Sequence, residues 1–511
     1  MSHGLTTMPG PLRRVAALPT WTAALLAAGV GALAVFGFAP LAWYPLVLLS
    51  IAGLYVLWSA RGWRDAAWLG FAFGVGWFGA GIHWVWYSAY AYGGTPLPVA
   101  ILVNALLVLV LAAYPAWLGW LARRFVAGIR GVAQPLLLAT LWVWLELLRA
   151  VLFTGFGWLN PGYALIDTSL AGFAPLGGVN LVALAGLASV LVIVAVVIRQ
   201  ADWRWLAFPL ALWLLGSLLG GIAWTERLER RLDVALIQGN VDQARKWQPG
   251  ERLATIALYE RLTRQNLGAD LVIWPETALP VFLDQALSVL ADIDDAARAR
   301  GTGLLIGAPV RENPGEPASA YFNGLVAMGA ASGIYTKRHL VPFGEYVPLA
   351  GLLGGIIQFL DVPMSNFGTG AFRQVPIRLR DGLEISATIC FEDAFAAETH
   401  AYLGDPVLMV NVSNDAWFGP TWAPAQHLQM ARMRALEARQ LMARATNTGL
   451  TAVIDATGHI VDMSRPWEIA VLRSEIPMYR GKTPFVRFGD GPIWLFTTLI
   501  VLIICVRNRC G

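Results

Sequence analysis

Apolar residues run almost unbroken through 18–37, 41–59, 66–90, 96–122, 134–153, 178–198, 203–223 and 492–508. A helix of about 20 apolar residues crosses the hydrocarbon core of a bilayer, so this pattern predicts eight transmembrane helices. Between the seventh and eighth runs the periodicity changes. Residues 224–490 carry short apolar runs at 234–237, 271–274, 304–306, 325–327, 385–390, 407–412 and 451–454, separated by turn residues. Runs of that length and type read as strands. Helical stretches at 253–266, 283–300 and 426–444 lie between them, and Gly301 closes the second as a helix stop. Near-continuously apolar strands alternating with helices imply an α/β layered domain with covered sheets. The predicted organisation is a seven-helix transmembrane domain over 1–223, an α/β domain over 224–490, and an eighth transmembrane helix with a short tail over 491–511.

Composition supports the division. The 511-residue chain is 57% hydrophobic and only 14% charged, with 23 tryptophans, outside the range of soluble globular proteins. Arg13 and Arg14 precede the first run as in a secretory leader, but six further runs follow before any soluble stretch, so the segment is read as a retained anchor. Arg13, Arg14, Arg61, Arg64, Arg123, Arg124, Arg130, Arg199, Arg204, Arg507 and Arg509 fall at the termini and in every second connection. The connections at 38–41, 91–95 and 154–177 contain no Lys or Arg. The positive-inside rule then places both termini in the cytoplasm and 224–490 outside. The net charge of +4 is mostly this orientation signal, and no basic stripe points to nucleic acid. Two segments of the outer domain, 349–360 and 417–422, are read either as elements touching the bilayer or as internally packed.

Candidate chemistry begins with Cys390. The other cysteines, Cys505 and Cys510, lie in and just beyond the last hydrophobic run, so no partner thiol shares its side of a membrane. A lone thiol ending an apolar run and followed by Phe391-Glu392-Asp393 reads as a nucleophile or as a buried structural cysteine. Two other strand ends carry matching groups. Glu276 follows Trp274-Pro275, and Lys337 lies in Tyr335-Thr336-Lys337-Arg338-His339. A carboxylate base can take a thiol proton, and an ammonium can stabilise the oxyanion formed when a thiolate attacks a carbonyl. Only Lys246, Lys337 and Lys482 are lysines in a chain whose other basic residues are arginine.

These pieces, together with His339-Leu340-Val341-Pro342-Phe343-Gly344-Glu345 and Asn411-Val412-Ser413-Asn414-Asp415-Ala416-Trp417-Phe418-Gly419, resemble the nitrilase superfamily. More closely, they are similar to the apolipoprotein N-acyltransferases, nitrilase-like membrane enzymes that complete bacterial lipoproteins. The resemblance covers the whole chain. It implies an αββα sandwich outside the inner membrane, in the periplasm, with Glu276 as general base, Lys337 as oxyanion stabiliser and Cys390 as nucleophile. It also implies Glu345 as a second carboxylate and Trp247, Phe391 and Glu392 as supporting residues. Phe391 stands where family members have Tyr, so a hydroxyl is missing there. The implied substrates are a phospholipid acyl donor and a diacylated lipoprotein acceptor, handled by a monomer without cofactor.

Other polar residues lie outside these motifs. The histidines at 3, 83, 339, 400, 427 and 459 show no ligand spacing, so no metal is expected. Glu146 and Arg149, three apart in the fifth run, can pair on one helix face, as a structural ion pair or in a substrate groove. Glu437 borders the site or is a solvated helix charge, and Trp417 and Phe418 are substrate or lid candidates. Ser413 lacks the Gly-x-Ser-x-Gly context of a serine hydrolase. A membrane-anchored amidase with water as acceptor is the competing reading. A transporter is disfavoured, because the runs show no series of carboxylates and no paired broken helices.

Overall fold

A computed structural model of the chain describes residues 13–14, 17–59, 61–316, 319–346, 366–400, 403–405 and 407–509. The segment 349–360 lies outside the described residues. Contacts divide the chain into two compact units: Met1–Trp86 with Ile101–Ile222 and Phe488–Gly511, and Tyr87–Ala100 with Ala223–Arg487.

The first unit is helical, with a helix at each position where the hydrophobic pattern places one: Thr20–Ala34, Pro45–Trp58, Trp63–Gly81, Leu97–Leu121, Ala133–Arg149, Ala174–Val197, Ala207–Gly220 and Gly491–Arg509. Among the described residues, four stretches are long and apolar enough to cross a membrane, namely Thr20–Gly37, Leu97–Val126, Ser169–Val197 and Trp203–Gly220, while Pro45–Trp58 and Gly491–Val506 are shorter apolar helices. The run at 66–90 is not one helix. The first helix stops at Gly81, and Trp84–Ala91 begins a second beyond a turn where His83 Nδ1 lies 2.8 Å from the Ala80 carbonyl. Without a hydrophobic force between helices in lipid, close packing of small residues holds them. A Cβ on Gly76 would overlap the Ala28 carbonyl, which shows how near the two backbones run. A buried polar chain adds direction: Asn160 Nδ2 donates to Asn180 Oδ1 at 3.0 Å, and Asn180 Nδ2 donates to Asp490 Oδ1 at 3.0 Å.

The second unit contains two sheets built from β1 (Glu226–Gln238), β2 (Leu271–Ile273), β3 (Gly303–Arg311), β4 (Tyr321–Gly329), β5 (Ala331–Ser332), β6 (Ile334–Thr336), β7 (Ile377–Leu379), β8 (Glu384–Ile389), β9 (Val407–Ser413), β10 (Met442–Thr446), β11 (Ala452–Ile454), β12 (Ile460–Met463) and β13 (Ala470–Arg480). The first sheet has the order β13-β1-β2-β3-β4-β6 and the second β12-β11-β10-β9-β8-β7-β5. In the centre of each, three strands are parallel: β1, β2 and β3 in one, β8, β9 and β10 in the other. Helices Pro249–Gln265 and Leu283–Arg300 cover the first sheet through Ile256, Tyr259, Leu290 and Ile293, against Ile237, Val272, Trp274 and Ile306. Helix Ala423–Ala438 covers the second through Leu428, Ala431 and Ala435, against Met409 and Met442. Gln238 Oε1 accepts from Thr451 and Ser464 at 2.9 and 2.7 Å, joining the inner faces. The result is a helix-sheet-sheet-helix sandwich, the α/β architecture expected.

One helical reading is corrected. The stretch 426–444 is not continuous helix: the helix ends at Ala438, Arg439 turns with a φ of 51°, and Met442–Thr446 is strand β10.

Candidate active site

Glu276 and Cys390 lie in turns leaving the carboxyl ends of the parallel strands β2 and β8, the position where open α/β sheets place their ligands, while Lys337 follows β6, which pairs antiparallel with β4. Glu276 sits in the turn after β2, where Thr277 has a φ of 49°. The turn lies so close to β3 that a Cβ on Gly307 would overlap the Pro275 carbonyl and stand 2.9 Å from the Glu276 Cα. Lys337 follows β6 and donates its backbone N–H to the Asn323 carbonyl at 2.8 Å. Its Nζ lies 2.9 Å from Glu345 Oε2 and 3.4 Å from Glu276 Oε1.

Both carboxylates are tethered by one amide. Asn323 Nδ2 donates to Glu276 Oε1 at 2.7 Å and to Glu345 Oε1 at 2.9 Å. The backbone N–H of Asn414 holds Glu276 Oε2 at 2.8 Å, and that of Val341 holds Glu345 Oε2 at 2.8 Å. Burial alone would push the Lys337 ammonium down, but Glu345, Glu276 and Cys390 together hold it above the ordinary lysine value.

Strand β8 ends at Ile389, and Cys390 opens a tight turn, Cys390–Ala394, with a φ of 53°. A non-glycine residue held in that region stores about 1–3 kcal/mol and persists only where its surroundings dictate it. Two buried groups do so. Glu392 Oε2 accepts from the Ile389 N–H at 2.7 Å, while its Oε1 accepts from Tyr335 Oη at 2.9 Å and from the Arg338 and His339 N–H groups at 2.8 and 3.2 Å. One carboxylate therefore ties the cysteine turn to the strand end that carries Lys337. Burial raises the Glu392 carboxyl above its usual range, and the N–H donors of Ile389 and Arg338 work against that rise. On the other side, His427 Nε2 donates to the Cys390 carbonyl at 3.1 Å, and its Nδ1 lies 3.0 Å from Asp415 Oδ1. Arg444 completes this network, donating to Asp393 Oδ2 at 3.0 Å, Asn411 Oδ1 at 2.6 Å and Asp415 Oδ2 at 3.2 Å.

Burial pushes the Cys390 thiol well above its ordinary value, and the Glu276 carboxylate adds to the rise, while Lys337 and a hydrogen bond with Ser413 oppose it. The resting group is a thiol, beside a carboxylate able to take its proton and an ammonium able to receive negative charge.

The sequence comparisons follow the same two parts. The family model for the apolipoprotein N-acyltransferase N-terminal domain matches residues 30–192, and that for carbon-nitrogen hydrolase matches residues 233–482. The apolipoprotein N-acyltransferase of Azotobacter vinelandii is 41% identical over 501 residues, 96% of this chain and 96% of that protein. The one from Methylococcus capsulatus is 40% identical over 494 residues, 95% and 96% of the respective chains. The chain belongs to the apolipoprotein N-acyltransferase family. Among solved structures, a carbon-nitrogen hydrolase from Helicobacter pylori G27 matches with a TM-score of 0.37 and 16% identity, over 48% of this chain and 89% of that one.

In this N-acyltransferase the remaining expected site residues occupy distinct places. Trp247 is half-buried, with its ring centroid 5.9 Å from Lys246 Nζ. Phe391 packs edge-on to Phe395 at 5.1 Å and to His339 at 5.9 Å, so its ring serves as packing. The Trp417 carbonyl accepts from Ser88 Oγ at 2.6 Å, and its ring meets Tyr92 edge-on at 5.7 Å. Phe418 faces His427 edge-on at 6.4 Å. Glu437 is not a solvated charge: it is fully buried, accepting from Arg434 at 2.8 Å and lying 3.0 Å from His400 Nε2. Glu146 and Arg149, in the helical unit, do form an ion pair, and Arg149 also donates to the Phe156 and Trp158 carbonyls.

Sequence reasoning missed Asn323, His427 and Arg444 as parts of the site. For Asn323 a signal existed, a polar residue within the apolar strand Tyr321–Gly329. Lys246 carried the same scarcity that drew attention to Lys337.

Proposed function

We propose that this protein transfers an acyl chain from a phospholipid to the α-amino group of a diacylglyceryl cysteine at a lipoprotein N-terminus, through a thioester on Cys390. Lipoprotein N-acylation follows from the relatives, which carry that name over nearly the whole chain. The observation that carries the mechanism is the buried cluster in which Glu276 and Glu345 lie within 3.4 Å of the Lys337 ammonium, with Glu276 and Lys337 acting electrostatically on Cys390.

In the first half-reaction Glu276 takes the Cys390 proton as Sγ attacks the ester carbonyl carbon. The Lys337 ammonium stabilises the tetrahedral oxyanion, and Glu345 keeps that ammonium charged and aimed. The ester C–O bond breaks, Glu276 returns its proton to the departing glycerol oxygen, and lysophospholipid leaves. In the second, the neutral amine attacks the thioester, Glu276 takes an N–H proton, and the C–S bond breaks. The proton then returns to the thiolate, closing the cycle. The arginine distribution supports cytoplasmic termini, eight transmembrane helices and a periplasmic catalytic domain.

The test is intact mass of the full-length protein after incubation with phospholipid alone. An acyl-sized adduct is expected, removed by hydroxylamine and absent in Cys390→Ala. Adding a diacylated lipopeptide should then discharge the adduct and yield an amide. Free fatty acid release at the same rate with and without lipopeptide would instead assign a hydrolase.

A further inference from the structure

Two lysines lie buried in the second unit near Glu276, and only one of them is explained by the chemistry above. Lys337 is paired with Glu345 and Glu276. Lys246 is 2% exposed, yet among the described residues no oxygen accepts a hydrogen bond from its Nζ. Its neighbours are the face of Trp247, 5.9 Å from Nζ to ring centroid, and the Glu276 carboxylate acting through space. Burial pushes this ammonium down to about 8, with Glu276 working against the fall. An ammonium with no acceptor among the described residues is free to take an anionic oxygen of a ligand.

The loop holding Lys246 is built, not loose. Asn240 N–H donates to the Asn447 carbonyl at 2.9 Å, Val241 N–H to Asn447 Oδ1 at 3.0 Å, and Asn447 Nδ2 to the Val241 carbonyl at 2.8 Å. Asn414 Nδ2 donates to Gln243 Oε1 at 2.7 Å. Asn414 is also the residue whose backbone N–H holds Glu276. The same asparagine thus fixes the base and the loop that presents Lys246, and the Lys246 N–H itself is anchored on the Asp242 carbonyl at 3.0 Å.

We infer that Lys246 is a donor-binding residue, whose ammonium takes a phosphodiester oxygen of the phospholipid while the ester carbonyl a few bonds away meets Cys390. This inference rests on the acyl-transfer reading above. An unpaired ammonium selects an anion, and in a phospholipid the phosphodiester is the anion nearest the reacting ester. Glu276 lies within its electrostatic reach, and Lys337 is engaged by two carboxylates and serves the oxyanion, so the Lys246 charge suits a second anionic oxygen of the substrate. The Trp247 face supports the ammonium without competing for its protons.

The experiment compares two donors in detergent micelles, dipalmitoyl phosphatidylglycerol and dipalmitoylglycerol, which share the ester and differ in the phosphodiester. Acyl-enzyme formation is followed by intact mass on full-length wild type, Lys246→Met and Lys246→Arg. Wild type is expected to react at least about tenfold faster with the phospholipid. Lys246→Met should lose that preference by slowing with phospholipid while its dipalmitoylglycerol rate holds, and Lys246→Arg should recover part of it. Equal slowing with both donors in Lys246→Met, an unchanged preference in that variant, or no preference in wild type would each overturn the inference. No adduct on wild type with either donor would overturn the acyl-transfer reading itself.

Discussion

Cys390 and Lys337 are both held above their ordinary pKa values, by opposite balances. For the thiol, burial comes first and the neighbouring Glu276 charge second, both disfavouring thiolate. For the ammonium, burial is outweighed by Glu345, Glu276 and Cys390, which favour the charge. Alkylation of Cys390 by iodoacetamide, read by peptide mapping across pH, should therefore have its midpoint above that of a free thiol. Glu276→Gln removes a negative neighbour and should move the midpoint down; Lys337→Met removes a positive one and should move it up. The opposite ordering would reject this account of the charges. Asn323 is the second residue-scale test. Its amide restrains both carboxylates, and a hydrogen bond to a charged group is worth about 1.5–3 kcal/mol. Asn323→Leu should slow acyl-enzyme formation by roughly 10–100-fold, and Asn323→Asp by more, since it adds a third carboxylate to the cluster.

At the scale of elements, strand-to-turn junctions decide where the chemistry lies. Gly307 lets β3 pass under the Glu276 turn. Gly307→Ala should leave a folded protein whose rate of acyl-enzyme formation falls sharply, because the backbone carrying Glu276 must shift. Gly301, by contrast, ends helix Leu283–Arg300 with a φ of 73° and no catalytic role. Gly301→Ala places a side chain in the left-handed region at about 1 kcal/mol, so the apparent Tm should drop by about 2 °C with acyl transfer unchanged at permissive temperature. That glycine made the helix end legible in the sequence. The end at Ala438 was not legible. The residues around it, Leu436-Glu437-Ala438-Arg439-Gln440-Leu441-Met442-Ala443-Arg444, are good helix formers without Gly or Pro. The stop falls on Arg439 in a left-handed turn, and what ends the helix is the pairing of Met442–Thr446 with β9 and β11. Tertiary pairing overrode local propensity there.

For the whole molecule, the positive-inside pattern predicts that a cysteine reporter in 224–490 reacts with a membrane-impermeant maleimide from outside, and one at 124–130 does not; reversed labelling would reject the orientation. The segment Tyr87–Ala100, which covers the end of one hydrophobic run and the start of the next, belongs to the same compact unit as Ala223–Arg487. Ser88 and Tyr92 hold Trp417 there, and a Cβ on Gly419 would overlap the Tyr87 ring. No periodicity announced that contact, because its partners are more than 300 positions apart. The sequence by itself determined the two-part architecture, because membrane thickness and sheet burial each impose a period on local composition. It also marked Glu276, Lys337 and Cys390, because strand ends followed by reactive groups are local too. Only the tertiary structure decided what surrounds them: the Asn323 bridge, the Glu392 tie, the His427–Asp415–Arg444 network and the burial of Lys246 against Trp247. Each depends on side chains brought together from distant strands, which no local pattern in the sequence can place side by side.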